Sequence, residues 1–212
     1  MKKFLLGSIL LVAFLFLPFA FPFLGLTQPV EPSNSFFPWN VKTQNGKTLA
    51  FGVELGDATL SHWVQRWGDD FDIAIMTTPK KENIDAQLEV FYNKLSLGFV
   101  DAKVVLNLNA TPLELENMVQ NSPKSEVLKS GVRKISLTLS DKKAAQNRKI
   151  RAVSVIPNIR LTQEDIVQRF GEPQFVEKKD TRTVLVYPNK ALRVQVAKKE
   201  RPLLEYVAPS SF

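Results

Sequence analysis

His62 is the only histidine in a chain of 212 residues that contains no cysteine. A lone imidazole could act as a general base or as one ligand of a metal ion. A metal site needs further donors at fixed spacing, and neither a second histidine nor a thiolate is there to supply them. His62 also falls one residue off the apolar stripe of its own segment, so it reads as an ordinary, partly exposed side chain. Asp69, Asp70 and Asp72 form an acidic cluster, but Phe71 interrupts it and the spacing matches no calcium loop; a solvated turn is expected. Serine is plentiful, yet G-x-S-x-G and the phosphate-cradling glycine loops are missing. What remains is chemistry by carboxylates alone, as in a glycoside hydrolase, because two acids can meet from anywhere in a fold. The reading is therefore non-catalytic, without metal or cofactor. A carboxylate-only hydrolase stands third among the alternatives.

Charge is distributed unevenly. Residues 31–123 hold 7 Lys/Arg and 12 Asp/Glu, whereas residues 124–201 hold 19 Lys/Arg and 8 Asp/Glu. Solvated faces explain most such surpluses. The sharper reading is an acidic partner: an anionic lipid headgroup, a cell-wall or lipopolysaccharide polymer, or an acidic protein. The candidate partner-binding residues are Lys142, Lys143, Arg148, Lys149, Arg151, Lys178, Lys179 and Arg182, expected on loops and strand starts. Nucleic acid is not an expected partner, since no recognition module is visible.

The N-terminus constrains location. Lys2 and Lys3 precede an apolar run over 4–27, and no further charge occurs until Glu31. Spanning a bilayer takes about 20 apolar residues, and a signal-peptide core about 7–15. No A-x-A pattern closes the run, so an uncleaved anchor is favoured over a cleaved signal, although Pro18 and Pro22 interrupt the segment. Both readings keep the lysines cytoplasmic and export the rest, by the positive-inside rule. The expected location is the inner membrane, single-pass, with the C-terminal region periplasmic.

The elements that must position any site come next. A composition of 44% hydrophobic and 23% charged residues is that of a folded chain. Residues 28–40 carry Pro29, Pro32 and Pro38 and form a semi-rigid linker. Its aromatics Phe36, Phe37 and Trp39 either dock on the folded part or lie in the membrane interface. Leu60, Trp63, Val64 and Trp67 make a helical stripe, with Thr59 as N-cap and Gly68 as stop. Strand alternation follows over 71–77, 88–97 and 100–108, with a hairpin at Gly98, and then a helix over 112–121 that begins with proline after Thr111. Strands are expected at 133–139 and 151–156, separated by a polar helical piece around 141–148. The last third repeats the opening: Thr162 caps a helix with Ile166, Val167 and Phe170 inward, and Gly171 with Pro173 ends it. Strands at 174–179, 182–187, 191–197 and 203–207 complete it. VQRWG at 64–68 and VQRFG at 167–171 are near-copies. Packing and chain reversal account for both, so the repeat reads as architecture.

A short helix of the form T-x-x-x-x-V-x-x-aromatic-G-x-P followed by antiparallel strands resembles the β-lactamase-inhibitory-protein fold. SmpA/OmlA-type lipoproteins of the outer-membrane β-barrel assembly machinery share that fold. The similarity is best over 159–208 and weaker over 52–108, where Asp70 stands in place of the proline. With PWN at 38–40, FGVELGDATL at 51–60 and a terminal EYVAPSSF, the chain as a whole also resembles a group of envelope proteins of Gram-negative bacteria. The resemblance implies a helix packed on a curved antiparallel sheet, in two tandem units, and a role in protein contacts. The chain lacks the lipoproteins' lipid-bearing cysteine, and the matched positions are structural.

The expectation is an α+β chain: a membrane anchor or signal segment over 1–27, a linker over 28–40, and two related helix-plus-antiparallel-sheet units over 41–123 and 124–212. Its expected function is a protein-binding or scaffolding module in envelope assembly or maintenance, with an envelope protein as partner. The alternative is a carrier or sensor of an apolar or anionic envelope ligand.

Overall fold

Threonine opens every α-helix among the described residues, which in this computed structural model are 37–79, 84–179 and 181–208. The expectations for the segment 1–27, for most of the linker and for Phe36 lie outside the described residues. Within them, no helix is long and apolar enough to cross a membrane.

The four helices are α1 (Leu60–Trp67), α2 (Pro112–Gln120), α3 (Leu139–Ala145) and α4 (Gln163–Phe170). Thr111, Thr138 and Thr162 each accept a hydrogen bond on the hydroxyl from the backbone N–H three residues on, which satisfies one of the free donors of the first turn. In α2 and α4 an acid three residues after the cap returns the bond. The Thr111 and Thr162 N–H groups donate to Glu114 Oε2 (2.7 Å) and Asp165 Oδ2 (2.9 Å). At α1 the equivalent position is His62, whose Nδ1 accepts from the Thr59 N–H at 3.3 Å. The sole histidine is thus a helix cap, in the place that Asp165 takes in the second copy.

The strands are β1 (Lys42–Gln44), β2 (Lys47–Ala50), β3 (Val53–Leu55), β4 (Asp72–Pro79), β5 (Ile84–Leu97), β6 (Val100–Leu108) and β7 (Ser125–Val127). They continue as β8 (Arg133–Ser136), β9 (Ile150–Pro157), β10 (Phe175–Lys179), β11 (Arg182–Tyr187), β12 (Leu192–Ala197) and β13 (Leu203–Val207). Ten of them form one sheet in the order β10-β11-β12-β13-β9-β6-β5-β4-β8-β7, and β1–β3 form a separate sheet of three. Every pairing is antiparallel. The chain is α+β.

The path runs from α1 into the adjacent strands β4, β5 and β6. It then leaves the run to build α2, β7, β8 and α3, and returns as β9 beside β6. From α4 it passes through β10–β13 in order, with a single 3-10 turn at Pro188–Lys190 between β11 and β12. The two runs meet where β13 pairs with β9, Tyr206 opposite Val153 and Leu204 opposite Val155. Residues 35–212 are one compact unit. The boundary at 123/124 falls inside the excursion, and β9, placed by sequence with the second unit, closes the first run of strands.

Cross-strand partners share a face, so the register defines the core. The row Leu185, Val194, Leu204, Val155, Val104, Tyr92 crosses six strands, and every member is buried. Helices α1 and α4 and the small sheet cover this face. Trp63 is fully buried against Phe51 (ring centroids 5.9 Å) and Tyr92 (6.5 Å), and Phe170 lies 6.0 Å from Tyr187. Trp67 is only half-buried, and so is Val167, because each lies at the flank of its stripe. The two helix stops have the same conformation: Gly68 at φ 81°, ψ 176° and Gly171 at φ 82°, ψ −173°. A positive φ of this kind favours glycine. The Tyr92 hydroxyl donates to the Gly68 carbonyl at 2.7 Å and ties the first stop to β5.

Strands β1–β3 and β7 were not expected from sequence. Asn45-Gly46, with φ of 52° and 71°, is a two-residue hairpin turn of the Asn-Gly kind, the strongest short-range signal for β1–β2.

Candidate functional site on the open face of the sheet

The residues that alternate with the core row point away from the helices. On that face Val186, Arg193, Glu205, Ser154, Val105 and Phe91 form the neighbouring cross-strand row, and Ala74, Glu89, Asn107 and Ala152 the next. The centre of the face is a shallow, open depression of about 260 Å³, lined by Gln87, Glu89, Asn107, Arg151, Ser154 and Glu205 among others. Asn107 donates through Nδ2 to Gln87 Oε1 and accepts from Arg151 Nε at 3.1 Å, so three polar groups are held in one network. Arg193 stands directly opposite Glu205 across β12 and β13, an oppositely charged cross-strand pair.

Glu89 is the perturbed group here. Burial pushes its carboxyl up to about 7, and the charge of Asp85 on the same strand adds to the effect. Glu205 shares the depression, but three strand spacings separate the two backbones, about 14 Å at ~4.8 Å each. The arrangement offers hydrogen bonding and charge over a broad surface.

The structure does not bring the eight sequence-predicted contacts together. Lys142 and Lys143 are exposed on α3. Arg148 is a structural ligand: NH2 donates to Glu114 Oε1 at 3.0 Å, and NH1 donates to Glu114 Oε2 (3.2 Å) and the Asn109 carbonyl (3.0 Å). Lys149 pairs with Asp57 at 2.7 Å. Arg151 reaches the centre of the open face, through Asn107, and Arg182 shares that face with Val186 at its far end. Lys178 and Lys179 end β10, and Arg182 begins β11 with Glu200 at 3.5 Å. Residues 142–151 cluster at the start of β9, whereas 178–182 lie level with its far end, about 20 Å away at ~3.3 Å per residue. Sequence proximity grouped charges that the strands then carry to opposite ends.

Glu89, Asn107, Ser154, Arg193 and Glu205 were not singled out from sequence. Each is an outward position of an alternating strand, which was readable. Their meeting depends on the pairing of β13 with β9, which no local signal encodes. No protein-family model matches this chain, and neither a curated protein nor a solved structure matches it, so the site rests on its own geometry.

Proposed function

We propose that the protein is a non-catalytic binding or scaffolding module, anchored in the inner membrane by residues 4–27, with its folded region in the periplasm and a role in envelope assembly or maintenance. The apolar N-terminal run after Lys2 and Lys3 supports the anchor and the orientation. The matching helix stops at Gly68 and Gly171 support reading the two helix-plus-strand runs as related units, of the kind found in the β-lactamase-inhibitory-protein fold.

One observation carries the functional part. Among the described residues, the helices pack on one face of the ten-stranded sheet, and the other is polar across its centre and bordered by apolar groups. Ligand cavities for small molecules usually hold about 300–1,000 Å³ and enclose their guest. Two depressions on the sheet are open and measure about 260 and 200 Å³. A broad face with dispersed polar groups suits a protein surface better than a carried ligand. Native mass spectrometry of the full chain extracted from membranes tests this: a retained protein partner is expected, and a stoichiometric small-molecule adduct would favour the carrier instead. A C-terminal reporter that is active only in the cytoplasm, if it were active here, would contradict the location.

A further inference from the structure

The turns at one end of the large sheet carry a combination that the open face lacks. Phe99 sits in the two-residue turn between β5 and β6 and is 79% exposed. Phe37 packs on it at 4.7 Å and Trp39 at 6.0 Å, and Phe37 and Trp39 stack at 5.2 Å with ring planes 8° apart. The platform is built in. Gly98, at φ +69°, lies so close to the Phe37 ring that a Cβ there would be 2.0 Å from Cε1. The buried Tyr206 hydroxyl donates to the Pro38 carbonyl and fastens the same stretch. Ile159, 42% exposed, extends the apolar tip, because the Asn158 N–H donates to the Asp101 carbonyl at 2.7 Å and lays the β9–α4 connection beside the turn.

Positive charge surrounds this tip. Arg169 covers the Trp39 ring at 5.4 Å. Lys94, Lys103 and Arg201 line one shallow depression, and Arg201 continues into the next beside Arg182. Asp101 is already paired with Lys94 at 3.0 Å and Glu200 with Arg182 at 3.5 Å, and Lys103, Arg160 and Arg201 add positive charge on this end. An exposed aromatic tip within a basic ring is what a bilayer interface with anionic headgroups accommodates: rings at the headgroup level, cations outside them. An anionic polymer would complement the cations but give Phe99 nothing to enter. Chain length points the same way. Nine residues, 28–36, separate the apolar run from Phe37, and that many extended residues reach at most about 30 Å.

We propose that this end of the sheet, with Phe99 at its tip, docks on an anionic phospholipid bilayer, the same bilayer that holds residues 4–27. The proposal rests on the anchored reading above. The chain has no cysteine, so Lys198→Cys at this end and Asn109→Cys at the opposite end each give a unique site for a fluorophore. The labelled full chain is reconstituted in nanodiscs of phosphatidylglycerol or phosphatidylcholine that carry a headgroup quencher. Strong quenching at position 198 and little at 109 is expected with phosphatidylglycerol, reduced in phosphatidylcholine and by salt, since the Debye length falls from about 10 Å at 0.1 M to about 3 Å at 1 M. Lys103→Gln and Arg201→Gln are each expected to shift the docked fraction about fivefold toward release. Phe99→Ser, in a turn outside the core, is expected to do the same with an unchanged melting temperature. Equal quenching at both positions, or none at 198 while the chain withstands a high-pH wash of the discs, would overturn docking alone. Loss of the chain in that wash would overturn the anchored reading, and docking with it.

Discussion

Replacing Glu89 with glutamine removes a carboxyl that burial pushes up to about 7 on the open face. The burial of Glu89 favours its neutral form, and a carboxyl moved from 4.5 to about 7 corresponds to about 3 kcal/mol at ~1.36 kcal/mol per pKa unit. Because the folded value is raised, the folded state holds this proton more tightly than the unfolded chain does. The stabilising contribution is complete below about 4.5 and is lost as pH rises through about 7. The glutamine keeps the shape and cannot ionise. Urea unfolding, followed by tryptophan fluorescence, is therefore expected to give the variant and the native chain similar stability near pH 4, and to favour the variant by up to about 3 kcal/mol near pH 8. The native curve should fall across this window while the variant's stays flatter. Parallel curves would refute the reasoning: Glu89 would then be solvated, and the depression would not desolvate what enters it.

Three further outcomes follow from the packing. Phe170→Ala removes a buried ring and is expected to cost about 3–5 kcal/mol, which lowers the melting temperature by about 6–20 °C; Trp67→Ala, at a half-buried position, should cost less, and the reverse order in calorimetry would contradict the packing assigned to the two helix ends. Hydrogen bonds from Arg148 first, and then from Thr111, hold the Glu114 carboxyl down at about 2, but its side chain is 44% exposed, so Glu114→Gln is expected to cost only about 1 kcal/mol near pH 7. That difference should persist above about 4.5 and vanish as pH falls toward about 2; an unchanged difference in acid melts would rule the pair out as its source. Gly98→Ala should destabilise through both the positive φ and the clash with Phe37, and in a Phe37→Ala background only the backbone part, about 1 kcal/mol, should remain; equal penalties in the two backgrounds would show that the rings do not meet.

Local signals were legible and long-range ones were not. Thr59, Thr111 and Thr162 marked three helix starts because a capping hydroxyl acts within three residues. Gly68 and Gly171 marked two stops for the same local reason. Thr138, which opens α3 in the same way, was passed over because its helix is short and polar. Strand β2, with exposed and buried residues in alternation, had the Asn45-Gly46 turn in front of it, but its few residues gave little periodicity to read. The place of β9 between β6 and β13 was not legible either, because it follows a long excursion and no local signal encodes its two partners. The basic residues illustrate the same limit. Arg148 and Lys149 looked like free charge in sequence, but their partners Glu114 and Asp57 come from distant segments.

The central claim is that the open sheet face meets a protein partner outside the cytoplasm, and site-resolved photocrosslinking in intact cells tests it most directly. A photoreactive residue is placed at Ser154, at the middle of the exposed row, and for comparison at Lys142, exposed on α3. A discrete protein adduct from position 154, absent from 142 and lost on Glu205→Lys, which sets like charges opposite each other at Arg193, is the predicted result. Adducts of equal yield from both positions, or none from position 154 in a chain shown to be folded and exported, would contradict it.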